Sequence, residues 1–354
     1  MPAAIARPAP TLADAWRRGG NNFNLLRLVA AWLVIHGHAW AITGTPGGDM
    51  VALLTGTKFA GALAVDVFFV ISGFLIAASL ERHRPGAYLL ARALRLLPGL
   101  AVCVALSVLV LGPLLTTDPG YWRDPRTWDY LWVNASLWSS RYFLPGVFDG
   151  LPNPAVNGSL WTLPVEARLY LALLLAALAG LLAPRRYLPL WLLGIATLAG
   201  IAWWRRPLPD HLANYAWCTA FFATGTLLWV LRARVQLRGA PLLGLLALAA
   251  LARGTPAFAA VYFALVGYGT LWLALVPRWP RIRHVDLSYG LYLYGWPAAQ
   301  LVQTASPGGP WHNTLWASLL ALGLATGSWF LVERPALRLK ARLLGAPPAA
   351  AAAG

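Results

Sequence analysis

The sequence has very little charge for its length. Only 11% of its 354 residues are charged and 59% are hydrophobic, whereas roughly a quarter of the residues in an ordinary soluble domain are charged. So few charged side chains cannot cover the surface of a soluble protein of this size. The composition excludes a soluble or disordered chain and favours a protein whose solvent is lipid.

Cysteine is also scarce. The two cysteines, Cys103 and Cys218, both lie in apolar runs. They provide neither a disulfide framework nor a cysteine-based metal site. We therefore expect no metal ion and no permanently bound cofactor.

Acidic residues are few, 12 against 28 Lys and Arg, which gives a net charge of +16. A nucleic-acid-binding protein would gather such an excess on one polar surface. Here the basic residues separate apolar segments, so we expect no nucleic-acid partner. Their distribution instead indicates which helix ends stay in the cytoplasm.

Long apolar runs are abundant. A membrane-spanning helix needs about 20 apolar residues, and nine stretches meet that need: 23–43, 58–80, 96–115, 160–183, 187–204, 211–231, 255–277, 286–304 and 313–332. A tenth, 239–252, is short but consists almost wholly of Leu, Ala and Gly. We predict an all-α polytopic membrane protein with about ten transmembrane helices.

The basic residues orient these helices. A cytoplasmic N-terminus places 19 of the 28 inside and 7 outside, and the other two, Arg27 and Arg168, fall within helices. The positive-inside rule then predicts that both termini are cytoplasmic. We divide the chain into a cytoplasmic segment 1–22, a ten-helix membrane domain 23–345 with an outer loop 116–158, and a disordered Ala/Pro tail 346–354.

Three ionisable residues interrupt the first apolar run. Arg27 and His38 are eleven positions apart, so they lie within roughly 20° of one helix face and about 16 Å apart along the axis. His36 falls on roughly the opposite face. Each alone is open to an alternative interpretation, a packed histidine or an arginine that reaches the interface. The shared face of Arg27 and His38 favours a function.

Two carboxylates are candidates to orient His38. Glu166 is about 9 Å below the outer start of its helix at Leu160, His38 about 8 Å below its own outer end, and Asp66 about 12 Å below. Either carboxylate can hold one ring nitrogen of His38 and raise its basicity. The alternative is a buried ion pair that ties helices together.

These residues belong to an ordered set of motifs. Arg27 and His38 in NLLRLVAAWLVIHGHA resemble the opening signature of the membrane acyltransferase-3 family, integral-membrane enzymes that O-acylate sugars and related acceptors. Further blocks follow in the family's order: DVFFVISGFL at 66–75, Arg92 and Arg95 in ARALRLLP, SLWTLPVEARLY with Trp161, Glu166 and Tyr170, SYGLYLYGWP with Tyr292, and VERP at 332–335. One departure is Gly295, where the family usually has a histidine.

The resemblance implies an enzyme of the bacterial-type inner membrane. It would move an acyl group, with acetyl expected and succinyl still open, from cytoplasmic acyl-CoA to a hydroxyl of an extracytoplasmic glycan or related acceptor. Membrane lipid, acyl-CoA and this acceptor are then the expected partners. His38 would be the general base, oriented by Glu166 or Asp66, since its near-neutral pKa permits that role.

Other residues would complete the site. Arg27, Arg92 and Arg95 suit the donor phosphates, although the Arg-x-x-Arg pair is also explained as a topology signal. Ser72 is the alternative nucleophile, but its neighbour Gly73 fits close helix packing equally well. Trp161, Tyr170 and Tyr292 would line the site. Four outer-loop tryptophans suit either sugar stacking or interfacial anchoring: Trp122, Trp128, Trp132 and Trp138.

A transporter or a flippase of a lipid-linked substrate is the competing class, because it too is polytopic and carries intramembrane charges. Inverted repeats with broken helices would favour it. We find no such repeat in the sequence.

Overall fold

The fold is helical throughout the part that is described. The computed structural model describes residues 9–203, 208–280, 282 and 285–344. Apart from one antiparallel bridge between Thr11 and Gln236, these residues form helices, turns and loops. The all-α prediction is confirmed. The predicted tail 346–354 lies outside the described residues, as do five arginines counted for the orientation: Arg7, Arg205, Arg206, Arg281 and Arg283.

Each of the ten predicted segments overlaps a helix. The helices are α1 Leu12–Arg17, α2 Phe23–Thr43, α3 Met50–Thr55, α4 Ala60–Leu80, α5 Pro85–Leu115, α6 Pro125–Ala135, α7 Gly158–Leu178, α8 Pro184–Trp203, α9 Asp210–Val230, α10 Gly239–Ala252, α11 Ala257–Leu275, α12 Ser288–Ala305 and α13 Pro310–Leu343. Two are much longer than predicted. Helix α5 begins at Pro85, before its apolar run, and contains a π-helical turn at Ser107–Leu111, whereas α13 continues beyond its run through a π-helical turn at Trp329–Glu333.

Six of these helices, within the described part of the chain, are long and apolar enough to cross a membrane: α2, α4, α5, α7, α11 and α13. The prediction of a multi-pass membrane protein is therefore confirmed. The short apolar segment 239–252 is a helix with the predicted limits.

The chain divides into two compact units. Among the described residues, the first contains 9–26, 66–78, 176–203 and 208–280, and the second contains 27–65, 79–175, 282 and 285–344. Helices α2, α4 and α7 therefore contribute residues to both units.

Aromatic side chains form the core of the first unit near α1. The ring of Trp16 meets Phe74 at 5.6 Å and Trp229 at 5.7 Å between centroids, both edge to face. Edge-to-face contacts of this kind add to the stabilisation that burial gives. The Thr11 side chain caps α1, and Leu12 N–H donates to the carbonyl of Val235. These contacts fix the N-terminal segment against the chain that follows α9.

Glycines let α4 and α9 pack closely in the first unit. A Cβ on Gly73 would overlap the carbonyl oxygen of Phe222, and one on Gly225 would overlap the carbonyl oxygen of Val70. Thr226 Oγ1 also donates to the carbonyl oxygen of Gly73 at 3.2 Å. Backbone contact between small residues is a common means of helix association in membranes. The alternative explanation of Gly73, close helix packing, therefore holds.

Enlarging Gly225 should separate these two helices. We expect Gly225→Ala to destabilise the protein by about 1–3 kcal/mol, because overpacking forces the backbones apart. Gly244→Ala on α10 is the matched control, since a Cβ there meets nothing within 4 Å and alanine favours the helix. Thermal unfolding in detergent measures both, and equal melting temperatures would contradict the packing role.

Helix α12 is the centre of the second unit. All its residues from Ser288 to Gln300 are buried. The end of the outer segment is fastened to it, since Asn157 Nδ2 donates to the carbonyl of Leu293 and Gln300 Nε2 donates to the carbonyls of Asn153 and Ala155. The predicted loop 116–158 therefore contains a helix, α6, and ends in a segment that is held on α12.

Candidate active site

His38 lies on α2 in the second unit. Its ring packs against Trp296, at 4.6 Å between centroids, and against Phe59 at 5.3 Å. Nδ1 lies 2.7 Å from the carbonyl oxygen of Val34. Because a carbonyl oxygen only accepts, Nδ1 must carry the hydrogen, and Nε2 of the neutral ring keeps its lone pair. This is the tautomer that a general base requires.

Small residues make room for this ring. A Cβ on Gly37 would overlap the backbone nitrogen of Gly61, so α2 and the start of α4 approach closely. A Cβ on Gly61 itself would lie 3.1 Å from Cε1 of His38. The two glycines thus set the position of His38 against its neighbours.

A narrow cavity lies beside His38. Counting the described residues, its lining is apolar except for the side chains of His38 and Ser159: Val34, Ile35, Ile42, Gly295, Trp296 and Ala299. A histidine with an available Nε2 therefore meets a mostly apolar space. Ligand sites in proteins are likewise mostly apolar, with a few polar groups that fix the orientation of the ligand.

Gly295 lines this cavity at the point where the family usually has a histidine. A Cβ there would come within 2.6 Å of Cγ1 of Ile35. Ile35 thus blocks a larger side chain at position 295, and the role implied for that histidine has no equivalent group here.

The turn that opens α7 brings Ser159 to the cavity. Asn157 Oδ1 accepts from the backbone N–H of Ser159 at 3.1 Å, and Tyr292 Oη donates to its carbonyl oxygen at 2.7 Å. Tyr292 Oη also lies 2.6 Å from Thr162 Oγ1. Tyr292 therefore supports this turn, and its lining of the site stays a prediction. Trp161 lies in the same turn and is half-buried.

His36 has different surroundings, as the helical spacing predicts. It stacks on Trp32, packs against Trp311 at 4.9 Å between centroids, and contacts Thr314 Oγ1 at 3.3 Å. These are the contacts of a packed histidine.

Glu166 contacts neighbours on its own helix and on α5. Tyr170 Oη donates to its carboxylate, and Glu166 interacts electrostatically with Arg92. The reach expected between Glu166 and His38 stays a prediction.

Arg27 and Arg95 share one carboxylate. Asp286 Oδ2 accepts from Arg27 Nη1 at 3.0 Å and from Arg95 Nη2 at 2.6 Å. Arg95 also lies 3.6 Å from Glu333, and Asp286 Oδ1 accepts from the backbone and hydroxyl of Ser288. These two arginines, expected at the donor phosphates, are thus held in a buried ion-pair network.

Arg92 has a different environment from Arg95. It lies near Tyr88, Tyr170 and Glu166, and Tyr88 Oη donates to the carbonyl of Tyr170 at 2.9 Å. Its Nε is buried and finds no hydrogen-bond partner among the residues that the structure describes. Of the three predicted donor-binding arginines, Arg92 is therefore the one with an unsatisfied donor.

Asp66 and Ser72 belong to the first unit. Asp66 Oδ2 accepts from Tyr262 Oη at 2.8 Å and from Trp217 Nε1 at 3.3 Å. Ser72 is half-buried on the same helix, next to the tightly packed Gly73. These contacts tie α4 to α9 and α11 within that unit.

Two acidic residues near the site had no assigned role in the sequence, Asp286 and Asp49. Asp49 is buried, its carboxylate accepts from the backbone N–H groups of Ala52 and Ala60, and it interacts electrostatically with His36 and His38. The scarcity of acidic residues was the signal in the sequence that could have pointed to these two aspartates. In a chain with 12 acids against 28 bases, a carboxylate beside an apolar run must meet a donor.

The chain belongs to the acyltransferase-3 family, whose acyltransferase domain it matches over residues 21–333, and it is an O-acyltransferase. It is similar to the O-acetyl transferase of Shigella phage Sf6, with 28% identity over 325 residues that cover 89% of this chain and 95% of that protein. It is also similar to nodulation protein 10 of Rhizobium leguminosarum bv. viciae, with 29% identity over 364 residues that cover 92% and 95%. No solved structure matches the chain.

Proposed function

We propose that the protein moves an acetyl group from cytoplasmic acyl-CoA to a hydroxyl of an extracytoplasmic glycan or related acceptor. The tautomer of His38 carries the proposal, because its Nε2 is able to take the proton of an attacking hydroxyl beside the small cavity. The phage relative, which is named an O-acetyl transferase, supports acetyl as the acyl group.

The donor enters from the cytoplasmic side in this proposal. Arg92 binds its phosphates, since guanidinium groups form charge-assisted hydrogen bonds to phosphate and Arg92 Nε has no partner within the described chain. Arg27 and Arg95 contribute indirectly, because Asp286 engages both. Glu166 and Tyr170 form the wall beside Arg92 rather than acting on the proton of the acceptor.

Arg92→Gln should weaken acyl-CoA binding by about tenfold or more, the cost of one charged hydrogen bond. Added salt should weaken binding to the wild-type protein, since it screens such contacts. Arg84→Gln is the control, because it removes an exposed charge at the start of the same helix. Binding of acyl-CoA in detergent measures the effect. Equal affinity in both variants would leave Arg92 as a topology signal.

The proposed topology has ten spans with both termini in the cytoplasm of a bacterial-type cell, in the inner membrane. Ten helices overlap the predicted segments, and α10, with 14 residues, is shorter than the roughly 20 that a span needs. The position of the basic residues supports this orientation.

The acceptor side carries exposed aromatic rings. Trp132 and Trp138 are 67% and 76% exposed, and Trp122 and Trp128 are also exposed. Such rings stack on sugars or anchor at the lipid interface. In this proposal the rings stack on a glycan acceptor or anchor the loop in membrane lipid. No nucleic-acid partner is proposed.

Mass spectrometry of surface glycans from deletion and complemented cells tests the function. We expect acetylated glycans in cells with the wild-type gene and none in the deletion. Transfer of label from radiolabelled acetyl-CoA to glycan in membrane vesicles tests the donor. Movement of a glycan across the membrane without acylation would instead indicate a transporter or flippase and overturn the proposal.

A further inference from the structure

Ser159 has a buried hydroxyl without a hydrogen-bond partner. Only 2% of the residue is exposed, and Oγ contacts no donor or acceptor among the described residues. Leaving such a group unpaired costs about 1–3 kcal/mol, so native proteins seldom do so without a reason. Ser159 also lines the cavity beside His38.

The surroundings hold the serine backbone firmly while its side chain stays unpaired. Its N–H is bonded to Asn157, its carbonyl to Tyr292, and Gly158 packs on Trp296. Ser159 therefore lines the cavity from a fixed turn. A donor that is fixed before the substrate arrives needs no reorganisation during the reaction.

We propose that Ser159 is a catalytic residue whose hydroxyl donates a hydrogen bond to the carbonyl oxygen of the acyl group during transfer. This inference rests on the proposed function of His38. The acyl group would lie between the two side chains, with its methyl group against the apolar lining.

The lining favours the acyl group over the sugar. Apart from His38 and Ser159, the described residues around the cavity are apolar, whereas a sugar ring carries several hydroxyl groups that would all need partners. A carbonyl and a methyl group require one donor and an apolar surface.

The spacing also argues against Ser159 as a nucleophile. Within the described part of the chain, no hydrogen bond joins its Oγ to His38. An activated serine normally lies within hydrogen-bond reach of its base.

The transfer has two stages, addition of the acceptor hydroxyl to the thioester and loss of CoA. The acceptor hydroxyl oxygen attacks the thioester carbon while Nε2 of His38 takes its proton, and a C–O bond forms. The carbonyl oxygen becomes an oxyanion that accepts from Ser159. When it collapses, the C–S bond breaks and the CoA sulfur leaves with the proton from His38. Ser159 thus stabilises charge that develops only in the transition state.

Ser159→Ala tests the proposal. We expect kcat to fall about 100-fold, as on loss of an oxyanion donor, with KM for acetyl-CoA nearly unchanged. The assay follows label from radiolabelled acetyl-CoA into surface polysaccharide extracted from the deletion strain. The melting temperature in detergent should be equal to that of the wild type or higher, because the variant loses a buried hydroxyl that was unpaired. A fall in activity that only follows a loss of folded protein would overturn the proposal.

Two further experiments distinguish a hydrogen-bond donor from a nucleophile at Ser159. Ser107→Ala is the matched control, since this buried serine donates to the carbonyl of Cys103, and it should keep full kcat. Peptide mass spectrometry after incubation with acetyl-CoA should find no acetyl group at position 159, and finding one would make Ser159 a nucleophile and contradict the proposal. If the wild type transfers no label, the proposed function fails. If it does and Ser159→Ala matches it, only this inference fails.

Discussion

His38→Ala should abolish detectable acyl transfer while the protein still inserts and accumulates. The variant loses the group that takes the proton of the acceptor, and general-base catalysis typically contributes about 10²- to 10⁴-fold. The helix itself remains, because alanine is the best helix former. Acetylated glycan, measured by mass spectrometry in complemented deletion cells, should fall to the level of the deletion, while immunoblots of membranes show equal protein.

His36→Ala is the matched control for this experiment. It removes the same side chain two residues earlier, from a site where Trp32, Trp311 and Thr314 surround it. We expect near-normal acylation. Near-normal acylation by His38→Ala as well would make the proposed mechanism untenable.

Helix positions were predictable because lipid imposes a simple requirement. A span must be about 20 apolar residues long, and each run that meets it overlaps a helix in the structure. The lengths of α5 and α13 were less predictable, since α5 begins before its apolar run and α13 continues beyond its own through a π-helical turn. That turn ends at Glu333, which faces Arg95, so the extension places a charged partner that hydropathy does not reveal.

The helix face on which a residue lies was easier to predict than the depth of a residue relative to one on another helix. The 3.6-residue period separates His36 from His38 correctly, because both residues lie on one helix. The depth of Glu166 relative to His38 rests on the assumption that two helices end at one level, and it stays a prediction. The outer segment after α6 is held on α12 through Asn157 and Gln300. Periodicity within a helix carries no information about that contact.

Side-chain pairing was the least predictable feature. The sequence shows that Arg27 and Arg95 occupy apolar segments but does not say which carboxylate meets them, because Asp286 is 259 residues from Arg27. The role proposed for Ser159 was not predicted, although Ser159 is the first residue of the block SLWTLPVEARLY. A serine at the start of a helix is typical of a capping residue, and only the structure shows that its hydroxyl is unpaired and that the residue lines a cavity.

Asp286→Ala should be among the most destabilising single substitutions in the second unit. It leaves two guanidinium groups, of Arg27 and Arg95, without the carboxylate that both contact. Breaking a buried ion pair by removing one partner costs about 3–5 kcal/mol, because the remaining charge stays buried. We expect a lower melting temperature in detergent and less protein in the membrane.

The negative charge of Asp286 should contribute more to stability than the volume of its side chain. Asp286→Asn keeps the shape and should still destabilise strongly, because a neutral amide does not compensate two cations. The control is Asp124→Asn, which breaks the exposed pair with Arg126 at 2.6 Å in the outer segment, and exposed pairs contribute little. Adding Arg95→Met to Asp286→Ala should restore part of the lost stability, since one of the stranded charges is gone. Additive losses in that double variant would show that Asp286 does not act through Arg95.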